Sequence, residues 1–167
     1  MKDTRKKIIC MLLVFTIVFT ADISVQVPAQ AKGEVDCKSL CVAALKATGG
    51  GKKLKYTSTS AIDFGALSVS ERGKVAGIQY VCDAKEVYSL CVIETKKAAY
   101  TKSLLNALKK YKKRNCSSDY LSDYTATEKK VLKNAVYGKK GKYVWYIAMS
   151  PKKENNNKGQ AAIKEVL

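Results

Sequence analysis

The run Lys142-Tyr143-Val144-Trp145-Tyr146-Ile147-Ala148-Met149 is the most strand-like stretch of the 167-residue chain. Aromatic and β-branched residues occupy both of its faces, so the strand needs cover on two sides and a central place in a sheet. Pro151 has no N–H to offer a ladder and stops it. Upstream, Gly138-Lys139-Lys140-Gly141 predicts a glycine-bounded turn, and Asn134 to Tyr137 begins the partner strand. An earlier pair, Val75 to Cys82 and Val87 to Thr95, flanks a polar turn at Asp83 to Glu86 and predicts another hairpin.

Helical patterns separate and flank these hairpins. Within 97–115, Tyr100, Leu104, Leu108 and Tyr111 recur at helical spacing, with Leu105 beside them. Lys97, Lys102, Lys109, Lys112 and Lys113 hold the flanks, so one face is core and the other a lysine row. Asp36 caps a helix over 37–48 whose apolar stripe is Leu40, Cys41, Ala44 and Leu45, and Gly49-Gly50-Gly51 ends it. Residues 52–55 and 57–60 read as loop. Residues 62–70 read as a turn or short helix with Ile62, Phe64, Leu67 and Val69 partly buried, and 71–74 as a break. Residues 116–125 read as loop and Thr127 to Leu132 as a helical turn. After Pro151 the chain is polar, with Asn155-Asn156-Asn157 exposed, before a short terminal helix over 159–167.

The order helix, hairpin, helix, hairpin, helix predicts an α+β fold: an antiparallel sheet of about four strands with helices packed on one face. The chain divides into a leader (1–31), an N-terminal helix and loop segment (32–74) and an α+β domain (75–167).

The leader has the parts of a secretory signal. Lys2, Arg5, Lys6 and Lys7 make a basic start, Ile8 to Ala21 carries no charge, and Ala29-Gln30-Ala31 offers the small residues a signal peptidase accepts. The 14-residue apolar run spans roughly 21 Å, against the about 30 Å of a bilayer core. Cleavage after Ala31 is the expectation, with export to the medium or to the outer face of the membrane or wall. The only leader cysteine, Cys10, sits at the entry to the apolar run and not at the cleavage point, so no lipid anchor is expected.

Beyond Ala31 stand 27 basic and 12 acidic residues, a net charge of +15, with no histidine. Such a charge attracts polyanions: nucleic acid, lipid headgroups or acidic wall polymers. Only Arg5, Arg72 and Arg114 are arginines, and lysine is a mobile point charge without the fork that reads bases. Anionic wall polymer or lipid headgroups are therefore the expected partners, a protein partner is the second, and sequence-specific nucleic acid is not expected. The bland reading of the same lysines is a solvated surface.

Five cysteines lie beyond the leader: Cys37, Cys41, Cys82, Cys91 and Cys116. Export permits a disulfide, and the odd number leaves at least one free thiol or an interchain bond. The alternative is small buried apolar residues. Four-residue spacing puts Cys37 and Cys41 on one helix face, but four zinc ligands are not in view, and no metal or cofactor is expected.

The sequence carries no recognisable catalytic constellation. The absence of histidine excludes Ser-His-Asp and Cys-His pairs. Ser150-Pro151-Lys152-Lys153 matches S-x-x-K, yet it leaves a strand through proline where that motif should open a helix. Asp119, Asp123 and Glu128 read as loop and cap residues before they read as an acid–base pair. Tyr143, Trp145 and Tyr146 would serve as a stacking platform only if exposed.

An ordered set of segments carries a family resemblance. It comprises Glu86-Val87-Tyr88-Ser89-Leu90-Cys91-Val92-Ile93, the Lys-rich helix, Tyr124 before Thr127-Glu128, then Leu132-Lys133-Asn134-Ala135-Val136 and Gly141-Lys142-Tyr143-Val144. From about Val75 to Leu167 the chain resembles an uncharacterised family of small exported domains, many of them lipoproteins, from clostridial-type Gram-positive bacteria. The resemblance implies export and supplies no activity, ligand or catalytic residue. The expected function is a non-catalytic binding domain of the cell envelope or extracellular space using a Lys-rich surface. The alternatives are a protein–protein adaptor or structural envelope component, and an enzyme of unfamiliar type.

Overall fold

The computed structural model describes residues 35–50 and 54–167, so the leader reading lies outside the described residues. Glu34–Leu167 form one compact unit. Its elements are α1 (Cys37–Thr48), β1 (Tyr56–Ser58), α2 (Val69–Arg72), β2 (Val75–Cys82), β3 (Ser89–Thr95), α3 (Thr101–Asn115), α4 (Ser118–Leu121), α5 (Ala126–Lys133), β4 (Val136–Lys140), β5 (Tyr143–Ala148) and α6 (Lys153–Val166). A 3-10 turn, Ala98–Tyr100, leads into α3.

The fold is α+β, with an antiparallel sheet in the order β1-β2-β3-β5-β4. Both expected hairpins are present. The sheet has five strands where the patterning predicted about four. β1 escaped notice because three residues of mostly polar edge strand carry no alternation: its register, Tyr56 opposite Cys82 and Ser58 opposite Tyr80, is set by β2.

Helices cover both faces of the sheet, which corrects the expectation of one. Side chains alternate along a strand, so β3 sends Leu90 and Val92 to one side and Cys91 and Ile93 to the other. Leu90 and Val92 pack with Cys37, Leu40 and Ala44 of α1 and Ile163 of α6. Cys91 and Ile93 pack with Leu104, Leu108 and Tyr111 of α3. A strand apolar on both faces leaves no side for water, so the helices must divide between them. The described residues of the N-terminal segment share these cores: α1 lies in one, and Phe64 and Leu67 in the other. Ile62 and Val69, expected to be partly buried, are 69% and 82% exposed.

Caps follow the letters. Asp36 accepts the Ser39 N–H at 2.6 Å, and Gly49 ends α1 at φ 68°. Ser68 with Glu71, and Thr125 with Glu128, close reciprocal capping boxes on α2 and α5. Hydrogen bonds from Thr125 and the Lys85 ammonium at 3.2 Å pull the Glu128 carboxyl down to about 2.

Two boundaries moved for tertiary reasons. Gly138 lies inside β4, not in the turn: a Cβ there would fall 2.6 Å from Trp145 Cζ2, so the missing side chain is room for the indole. The turn is Gly141-Lys142, with Gly141 at φ 55°. The last helix begins at Lys153, so the asparagines read as exposed are helical and Asn156 is fully buried. Its Oδ1 accepts the Met149 N–H at 3.0 Å, and its Nδ2 donates to Asn134 O at 2.9 Å and Ser150 O at 3.0 Å.

Candidate anion-binding face

Helix α3 is built from a sequence without a single acidic residue, Thr101 to Asn115. Leu104, Ala107, Leu108, Tyr111 and Asn115 are buried, and Tyr111 meets the Tyr146 ring edge-on at 5.2 Å. At about 100° per residue, Lys102, Lys109 and Lys113 then share one narrow stripe on the far side, with Lys110 beside it. All four are exposed, and none forms an ion pair with a described residue. Three basic residues crowd the last turn, where they also face the negative end of the helix dipole.

The expected row is altered at two places. Lys97 is exposed but precedes the helix, at the start of the 3-10 turn. Lys112 leaves the row: its ammonium donates to Ala135 O at 2.6 Å and lies 6.0 Å from the Tyr137 ring centroid. Burial pushes its pKa down. Half-buried, Lys112 ties α3 to the α5–β4 connection.

Three cations that patterning missed join the face. Lys110 and Arg114 line a shallow cleft of about 420 Å³ between α2 and α3, with Glu71, Ala107 and Tyr111. The cleft continues past Lys102, Ser103 and Asn106. Lys74 donates to Ser103 Oγ at 2.8 Å from the α2 side. The Arg114 guanidinium lies 5.1 Å from the Tyr111 ring centroid, within cation–π range. The spacing of Arg114 from Lys110, four residues along one helix, was the available signal.

The five cysteines are all free thiols. Cys37, Cys41, Cys82 and Cys91 are buried, and burial pushes Cys37 and Cys41 up to about 12 and Cys91 well above its ordinary range. Cys116 is half-buried, its Sγ donating to Leu132 O at 3.5 Å, and burial raises it as well. The thiolate is the reactive form, so burial keeps Cys37, Cys41, Cys82 and Cys91 slow at pH 8, and Cys116 is the one thiol a reagent can reach. In the form beginning after Ala31, native protein should show at most one fast thiol towards Ellman's reagent, lost in Cys116→Ser. Denatured protein should show five without reductant; a count of three or fewer would mean a bridge.

The remaining candidates resolve into structure. Ser150 Oγ accepts from the Lys152 N–H at 3.1 Å and the Asn155 Nδ2 at 3.2 Å, closing the start of α6. Glu128 is held in its capping box. Tyr143, Trp145 and Tyr146 are buried and form no platform for bases or sugars. Among the described residues, no three His, Cys, Asp or Glu side chains could hold a metal ion, and no helix is long and apolar enough to cross a membrane. Comparison with protein-family models, curated proteins and solved structures gave no match.

Proposed function

We propose that this is an exported, non-catalytic binding domain that engages anionic polymer or lipid headgroups at the cell envelope through the outer face of α3. The observation that carries the reading is the row Lys102, Lys109, Lys110 and Lys113, exposed and without an ion pair to any described residue. Like charges held close on one helix repel one another, at some tenths of a kcal/mol per pair, and a polyanion relieves that repulsion while releasing its own counterions. The basic leader with its Ala29-Gln30-Ala31 exit supports export.

The test is retention on an immobilised polyanion across a salt series. Replacing the four lysines by Gln should weaken binding by at least about tenfold at 0.15 M salt and flatten its salt dependence. Gln at the exposed Lys130, Lys139, Lys158 and Lys164 removes the same charge and should have a much smaller effect. Equal losses from both sets would leave only net charge, and the face would not be a site. The competing reading is a protein–protein adaptor. It rests on the edge strand β1, whose Tyr56 is 46% exposed, and on Ile62 in the loop after it, 69% exposed.

A further inference from the structure

We propose that the cleft between α2 and α3 seats one repeat of a polymer whose anionic groups alternate with neutral, hydroxyl-bearing units. This rests on the binding reading above and narrows it from a face to a seat and from polyanions in general to one class.

The cleft is chemically mixed. Its cations are Lys102, Lys110 and Arg114, and Lys74 is bonded to Ser103, a lining residue. Arg114 is the only arginine of α3; its guanidinium lies 5.1 Å from the Tyr111 ring centroid, and the guanidinium fork suits two oxygens of one phosphate or carboxylate. Lys110 lies one helical turn before it, so a single anionic group reaches both. Across the cleft stands the Glu71 carboxylate. Its Oε2 accepts from Ser68 N and Ser68 Oγ, each at 2.8 Å, which fixes the group at the rim.

A polymer charged at every position would press anions against Glu71. One with a neutral hydroxylated unit between its anions does the opposite. It places an anion on Lys110 and Arg114, and turns a hydroxyl to Glu71, Asn106 or Ser68, which accept or donate hydrogen bonds. The exposed outer lysines, Lys109 and Lys113, supply attraction without this discrimination. Glu71 therefore makes the cleft selective by repulsion, at a modest loss of total affinity.

Purified protein is titrated with poly(glycerol phosphate) and with inorganic polyphosphate of matched charge at 0.15 M salt. Wild type should bind poly(glycerol phosphate) more tightly per charge. Lys110→Ala with Arg114→Ala should weaken that binding by about tenfold, and Lys109→Ala with Lys113→Ala, the same charge change one residue away, by less than about threefold. Glu71→Gln keeps the capping box and should raise polyphosphate binding selectively. Equal losses from the two pairs, or equal affinity for the two polymers in wild type, would overturn the seat while leaving the face intact. A wild type that binds neither polymer would overturn both.

Discussion

Asn156→Ala should lower stability by about 3–5 kcal/mol, the largest loss expected from any single polar side chain here. Asn156 is 0% exposed and makes three hydrogen bonds, to Met149 N–H, Asn134 O and Ser150 O. Alanine leaves three backbone groups without their partner, two of them buried, and its better helix propensity returns only about half a kcal/mol. The bonds join the end of β5, the end of α5 and the first turn of α6, so the loss is shared by three elements. Urea unfolding measures it through the midpoint at unchanged slope. Asn156→Asp is the sharper companion. It keeps an acceptor for Met149 but loses both donors, and it sets a carboxylate against two carbonyl oxygens. Burial there raises the folded pKa above the unfolded value. The variant should therefore be weakest above that folded pKa and recover as pH falls through it. A variant within 1 kcal/mol of wild type would show that this network is not what docks α6.

Gly159→Val should cost about 3 kcal/mol by prying α1 from α6. A Cβ at Gly159 would lie 2.6 Å from Thr48 Cγ2, 3.4 Å from Ala44 O and 3.4 Å from Ile147 Cδ1. The first neighbour is a methyl on a buried threonine whose hydroxyl is tied to Leu45 O, so it has little room to turn. Gly159→Ala separates the two opposing terms: alanine gains about 1 kcal/mol as a helix former and meets the same 2.6 Å contact. A net loss for alanine and a larger one for valine is the expected order. Thermal unfolding checks both, and a stabilised alanine variant would mean the two helices can separate without penalty.

The secondary structure was largely legible because its signals are local. β2, β3 and β5 were readable from β-branched and aromatic runs, α3 from its period, and α1 from Asp36 and Gly49, whose chemistry acts within a few residues. What escaped depends on partners distant in sequence. β1 is a strand only because β2 offers an edge. Gly138 reads as a turn residue until the indole of Trp145 is placed over it. Asn156 reads as exposed polar chain until three backbone groups converge on it.

The candidate site divides in the same way. Helical period alone put Lys102, Lys109 and Lys113 on the outward stripe of α3. It gave Lys112 the same standing, and only the packing of α5 and β4 took that ammonium to Ala135 O. The cleft with Glu71, Lys110 and Arg114 was invisible to pattern, because α2 lies 29 residues or more before the part of α3 it faces.

The letters by themselves determined the net charge of +17, the absence of histidine and the chemistry this excludes, the hairpins and the principal helices. Tertiary structure decided which side of the sheet each helix covers, which lysines remain in water and which polar side chains are buried. The physical reason is range. Caps, turns and periodicity act within about one helical turn, whereas burial is a property of surfaces brought together from opposite ends of the chain.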